Sequence, residues 1–388
     1  MHRLIPILLC AAMACATPTI ETSTPPTPAQ APLRVLQAPQ PFHDAGGWHL
    51  ALEVVAPSGD RLTALTVRHG AVVHRLADEQ LAAASVGLHS TADRASGLRR
   101  EPGVTPGDRG VAVFVWTTVP SRAGLPKLVT VEGLFASGAR HMLEVPVTQS
   151  ETLLVQPPVL GPGWFTFMAP SNTTAHRRSI HSVDGTLYAP QRYALDLVRT
   201  DQTGARFKGN PAVNESYAAY GAPVVAMGGG AVVAVRDGIP ENTPGQCLDR
   251  AIDPTCTATT AVPITADTLV GNYVLMELEG GVHVTYAHLV PGSIEVKIGD
   301  KVTGGQTLGR VGNSGNSTEP HLHFHLCDGP SVRGCGGVPF HFPRFVEIPI
   351  DPRRGPVGPP TVMEDATPSN SSVLILPDAT GQIHGPPQ

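Results

Sequence analysis

Residues 271–290 read GNYVLMELEGGVHVTYAHLV, two Val-rich segments parted by Gly280 and Gly281. Short apolar segments broken by glycine turns predict paired β-strands. The pattern recurs in GAPVVAMGGGAVVAV at 221–235 and in TLGRVGNSG at 307–315, so residues 155–350 are expected to form a compact antiparallel β core. Upstream, 41–150 holds a second series, WHLALEVVA, RLTALTVRHG, GVAVFVWTTV, KLVTVEGLF and HMLEVPVT, cut by Gly, Pro, Asp and Ser turns. Such spacing predicts a small β-sandwich. The prolines and glycines of QPPVLGPGW, residues 156–164, break the period and place the domain boundary there. The expected fold class is therefore all-β, a sandwich-like domain followed by a compact antiparallel sheet.

Composition agrees with that reading. The 388 residues include 41 Gly and 39 Pro and only 15% charged side chains, which favours turn-rich β architecture over helical packing. A net charge of −5 without any Lys/Arg run leaves no electrostatic footprint for nucleic acid and no polybasic membrane patch. The start, MHRLIPILLCAAMACATPT, has a basic beginning, an apolar stretch and small residues before Cys15, which predicts an export signal over 1–15. Cys15 lies where a lipoprotein would be cleaved and lipidated, although Leu is absent three positions before it. Export to the periplasm or cell envelope is expected, with a lipid anchor through Cys15 and a plain secretory signal both open. Residues 16–40 and 356–388 are rich in Pro and small polar residues and are read as a disordered linker and a disordered tail.

Four further cysteines fall into two close pairs, Cys247 with Cys256 and Cys327 with Cys335. In an oxidising compartment two local disulfides are expected, since the C-x-x-C knuckles of a zinc ribbon are missing.

The chemistry-bearing signal is Pro320-His321-Leu322-His323-Phe324-His325-Leu326. On a strand alternate side chains share a face, so His321, His323 and His325 project one way and Leu322, Phe324 and Leu326 into the core. Three imidazoles on one face suit a metal. The histidines of 41–150 (His43, His49, His69, His74, His89, His141) lack such spacing, and His283 is read as a surface residue.

A second signal, Tyr286-Ala287-His288-Leu289, lies upstream. Together these stretches resemble the lysostaphin/LytM-type zinc metallopeptidases, which carry a Tyr-x-His-Leu strand, a Gly-Asp-x-Val-x-x-Gly-Gln turn and a Gly-Asn-x-Gly-x-Ser-Thr-x-x-His-Leu-His-Phe segment. Here they stand at Tyr286/His288/Leu289, at Gly299/Asp300/Val302/Gly305/Gln306, and at Gly312/Asn313/Gly315/Ser317/Thr318/His321/Leu322/His323/Phe324. With 221–235 the resemblance extends from residue 221 to residue 326. It implies one zinc ion per chain, His323 as a ligand, His288 and His321 as proton-handling residues, and peptidoglycan or another peptide as substrate.

The family's other two ligands form a His-x-x-x-Asp pattern, matched by Arg192-Tyr193-Ala194-Leu195-Asp196. Asp196 takes the ligand position, but Arg192 stands where the first His belongs, and a guanidinium has no lone pair to offer a metal. If Arg192 paired with Asp196 it would replace the cation. A third ligand is then sought in SNTTAHRRSIHSVDG, residues 171–185, which offers His176 and His181, with His325 as another candidate; resemblance to family members that share the Asn-Thr-x-x-His-Arg segment implies His176. Two functions follow: a zinc endopeptidase cutting peptidoglycan crosslinks, and a catalytically inactive LytM-type module that binds or regulates cell-wall hydrolases. A third, anchoring to the wall through the sandwich, lacks an aromatic platform. Asn214, Tyr217 and Tyr220 are read either as positioning substrate or stabilising an oxyanion, or as ordinary packing residues.

Overall fold

The computed structural model describes residues 33–90, 98–148, 152–245, 260–351 and 354–384. The N-terminal part is built from two antiparallel sheets. One joins Gly47–Ala56 to Val111–Val119 and then to Ser85–Ser90 and Leu98–Pro102; the other runs Arg140–Pro146, Leu128–Phe135, Leu62–His69, Val72–Ala77. Leu50, Leu52 and Val54 of the first sheet pack against Leu65, Val67 and Val131 of the second, as period-2 alternation requires.

The Gly47–Ala56 strand is buried on both faces. Its other face presents Ala51, Glu53 and Val55 to the C-terminal half, where Val55 packs with Ile180, Leu187 and Ala189, and Ala51 with Phe42 and Tyr193. The two halves therefore share apolar clusters instead of meeting through a linker.

A twelve-stranded sheet forms the C-terminal part. Its centre runs Pro162–Phe167, Leu195–Arg199, Leu322–Cys327, His283–Leu289, Asn272–Leu278, Gly230–Arg236. Leu195, Leu197, Leu322, Phe324, Val284 and Tyr286 line one core beneath it. The sheet is not wholly antiparallel, because Leu153–Leu154 pairs parallel with Phe340–His341. Among the described residues no helix is long and apolar enough to cross a membrane.

Both terminal expectations need correction. Residues 33–40 belong to the fold: Leu33 is buried and Arg34–Val35 pairs with Val54–Val55. The stretch expected as a tail contributes the strands Thr361–Ala366 and Ser372–Ile375, the latter inserted between Pro162–Phe167 and Phe340–Asp351. Apolar Val373, Leu374 and Ile375 outweigh the Pro/Gly-rich surroundings once a sheet edge is available to receive them. Residues 1–32, with the export signal and Cys15, lie outside the described residues.

Burial also sets a pH dependence. The His341 imidazole, which accepts the His43 backbone N–H at 2.9 Å, is pushed down to about 4 by burial and by His43 and Arg122. Its folded pKa lies below the unfolded value, so the stability it contributes is present above pH 6.5 and is lost as pH falls towards 4. The slope is about 1.4 kcal/mol per pH unit. Urea unfolding midpoints should fall over this window less steeply in His341→Gln than in the wild type. Equal slopes would show that His341 titrates alike in both states.

Candidate metal centre

Strand pairing sets Asp196 directly across from His323, and His323 across from Ala287 on its other side. Leu195 and Leu197 turn into the core, so Asp196 projects to the opposite face, together with His323. His323 Nδ1 lies 2.8 Å from Asp196 Oδ1. From the turn-built segment before the strand, His176 brings Nε2 to 3.4 Å from Asp196 Oδ2, its ring at 4.8 Å and edge-on to that of His323. One ligand atom from each of the three residues lies within 4.8 Å of the other two. Tetrahedral zinc with bonds of about 2.0–2.1 Å holds its ligand atoms about 3.3 Å apart, so the three donors fit with little movement.

Hydrogen bonds to the far nitrogens orient these rings. His176 Nδ1–H donates to the Met168 carbonyl at 3.0 Å, leaving the Nε2 lone pair towards Asp196. Met168 itself has a φ of +54°, a left-handed turn that aims its carbonyl at the ring. His323 Nε2 lies 3.0 Å from His325 Nδ1; with the proton on Nε2, the Nδ1 lone pair faces the centre. Burial pushes His176 down to about 4, against the pull of Asp196, and His323 down to about 3. Both are neutral, ligand-competent imidazoles at pH 7.

His288 and His321 form a second pair beside this set, ring centroids 4.8 Å apart, with His288 5.7 Å from His323. His288 Nδ1–H donates to the Ser314 carbonyl at 2.8 Å, and His321 Nδ1–H to the Glu319 carbonyl at 2.8 Å. His321 Nε2 then stands 3.6 Å from Asp196 Oδ1. Burial first, then His321 and His323, holds His288 well below the usual imidazole value, so its Nε2 carries a lone pair. His288 has a φ of +63°, a region costing a non-glycine residue about 1–2 kcal/mol. Strand periodicity gives no sign of it. These residues line one groove of about 320 Å³, with Phe167, Ile264 and Leu269 among its apolar walls.

The remaining candidates sort as follows. Arg192 does not pair with Asp196: it sits in a turn before the strand, and its Nη2 lies 3.0 Å from Glu53 Oε2. His181 lines the groove, but its Nε2 bonds Ser179 Oγ at 2.9 Å. His325 stands behind His323. His283 is buried, not on the surface, on a strand paired along both edges, with Glu277 on one side and Cys327 on the other. Tyr217 and Tyr220 bond the Pro211 carbonyl and Glu241, and Asn214 accepts from Asn313, so all three brace loops outside the groove lining. Cys327 and Cys335 form a disulfide beside the histidine strand. Cys247 and Cys256 lie outside the described residues. Sequence reasoning missed Met168 and Glu319, which act through backbone carbonyls that no side-chain pattern reports, and Asn242, whose Nδ2 holds the Gly315 and Ser317 carbonyls at 2.7 and 2.8 Å across a long stretch of chain.

Comparison with known proteins places this region. Residues 255–332 match the profile of peptidase family M23. That match contains His288, His321 and His323 but not His176 or Asp196. A 57-residue stretch is 47% identical to the peptidoglycan DD-endopeptidase ShyA of Vibrio cholerae, covering 14% of this chain and 13% of that protein. Among solved structures, the M23 metalloprotease pseudoalterin from the deep sea aligns over 55% of this chain and 95% of its own at 17% identity, with a TM-score of 0.28. The catalytic domain of lysostaphin from Staphylococcus simulans aligns over 45% and 84% at 20% identity, with a TM-score of 0.22.

Proposed function

We propose, from the premise that this chain belongs to the M23 peptidase family of the lysostaphin/LytM type, that it is an exported zinc metalloendopeptidase. Its substrate on this reading is the peptide crosslink of cell-wall peptidoglycan. The observation that carries the proposal is the convergence of His176 Nε2, the Asp196 carboxylate and His323 Nδ1 despite Arg192. Two neutral imidazoles and a carboxylate are the donor set of an open zinc site. Bound by these three residues, zinc would supply Lewis acidity towards the peptide carbonyl and make water a nucleophile near neutral pH.

The chain's own residues supply the rest. Hydrolysis adds water across the amide, with hydroxide going to the carbonyl carbon and a proton to the departing nitrogen. His288 Nε2, with its lone pair, takes up the water's proton and returns it to the leaving amine. His321 stabilises the oxygen on which charge develops. The alternative, a metal-free regulatory module, was favoured by an Arg192–Asp196 pair, and Arg192 is engaged with Glu53 instead.

The test is metal analysis of the tag-free mature protein beside His176→Ala and His323→Ala, with hydrolysis of crosslinked wall peptides. About one zinc per chain, lost in both variants, is expected. A wild type that takes up no zinc after loading and dialysis would defeat the reading.

A further inference from the structure

The segment that delivers His176 is held by the other half of the molecule. From Ser171 to Ile180 it is built of turns, so no ladder of sheet hydrogen bonds sets its position relative to Asp196. Besides Ile180, which packs with Val55, its anchors are polar and reach the N-terminal part. Asn172 Nδ2 donates to the Phe114 carbonyl at 3.1 Å and Arg178 Nη2 to the Ala83 carbonyl at 2.8 Å. Between them, Arg177 is fully buried; its Nη1 forms an ion pair with Glu53 Oε1, and its Nη2 donates to the Leu52 and Val115 carbonyls at 2.9 and 3.2 Å.

Glu53 lies on the face of its strand that meets the C-terminal half and has no exposure at all. Its second oxygen faces Arg192 Nη2 at 3.0 Å, and the same guanidinium donates to the Ala51 carbonyl at 2.5 Å and to Gln37 Oε1 at 2.9 Å. Arg177 directly follows His176, and Arg192 lies in the turn leading into the Asp196 strand. One carboxylate thus fixes both approaches to the candidate metal site. A buried ion cluster adds little net stability compared with well-packed apolar side chains, and its best use is to specify one geometry.

We infer that Glu53 is a positioning residue for the metal centre, so that the N-terminal sandwich is part of the site's construction rather than an appended module. Through Arg177 it fixes His176, and through Arg192 the turn before Asp196. The inference rests on the zinc reading above for its consequence, but the geometry it asserts is measurable without metal.

The experiment uses the full mature chain and two variants. The first replaces the whole cluster by apolar residues (Glu53→Leu, Arg177→Met, Arg192→Met), avoiding the unpaired buried charge that a single change would leave. The second, Arg177→Lys, keeps the charge but loses the fork that reaches two carbonyls. Zinc affinity by chelator competition should weaken about 10–100-fold in the first, and by less in the second. In zinc-free protein, NMR should show the His176 Nδ1–H, bonded to Met168, exchanging faster in both variants. The His321 Nδ1–H, bonded to Glu319, should be unchanged. A wild type without zinc affinity defeats the peptidase reading and leaves the two ring protons to decide the role of Glu53. If both protons stay protected in either folded variant, or both are lost together, the positioning role is overturned; the second result marks general loosening.

Discussion

His288→Ala should keep about one zinc per chain and lower kcat on a crosslinked peptide by about 10²–10⁴-fold, the usual contribution of a positioned acid–base group. The two effects separate because His288 stands outside the triad of His176, Asp196 and His323, with its ring 5.7 Å from that of His323. Its Nδ1 is committed to the Ser314 carbonyl, so proton exchange falls to Nε2 alone. The left-handed backbone at this residue supports a functional assignment: such strain persists where surrounding structure over-determines it, and here the Ser314 bond and the neighbouring Asn272 network do so. His288→Asn, which also tolerates positive φ, separates the imidazole from the backbone; it should be as inactive as the alanine variant and better folded. Zinc lost with His288 would make it a ligand. An unchanged kcat would remove it from the reaction.

Much of this centre was legible because β-strands have a period of two. The alternation in His321-Leu322-His323-Phe324-His325 places the imidazoles on one face without reference to any relative, whereas Asp196 meets His323 because their strands are antiparallel neighbours in that register. His176 came from resemblance and nearness in sequence, since nothing in a run of turns encodes where a side chain points. Arg192, for which a pair with Asp196 is one of the readings open in the sequence, has a different partner for a related reason. Spacing of four residues suggested that it faced Asp196, but the strand starts at Leu195, and the partner that decides the matter, Glu53, lies on a distant strand of the other half. Sequence reports which groups are costly to bury alone; it does not report which carboxylate meets them.

The C-terminal stretch shows the same limit on the scale of a whole segment, and it gives the other large expected effect. Ending the chain at residue 360 should abolish soluble, cooperatively folded protein. Ser372–Ile375 sits inside the sheet, paired with Pro162–Phe167 on one side and Phe340–Asp351 on the other, so its removal opens two rows of backbone hydrogen bonds. Leu374, Leu376, Ile375 and Met363 are buried, and at roughly 1.5–3 kcal/mol each their loss amounts to about 6–12 kcal/mol. That matches the whole stability of an ordinary domain, about 5–15 kcal/mol. Leu374→Ala offers a graded version, expected to cost about 2–5 kcal/mol in urea unfolding. The segment also reaches the candidate metal centre. Asn370 Oδ1 accepts the Ala169 N–H at 3.1 Å, next to the left-handed Met168 whose carbonyl orients His176. Asn370→Ala should therefore weaken zinc binding with little loss of stability, whereas a truncated chain that stayed folded and bound zinc normally would make the segment the tether that its composition suggests.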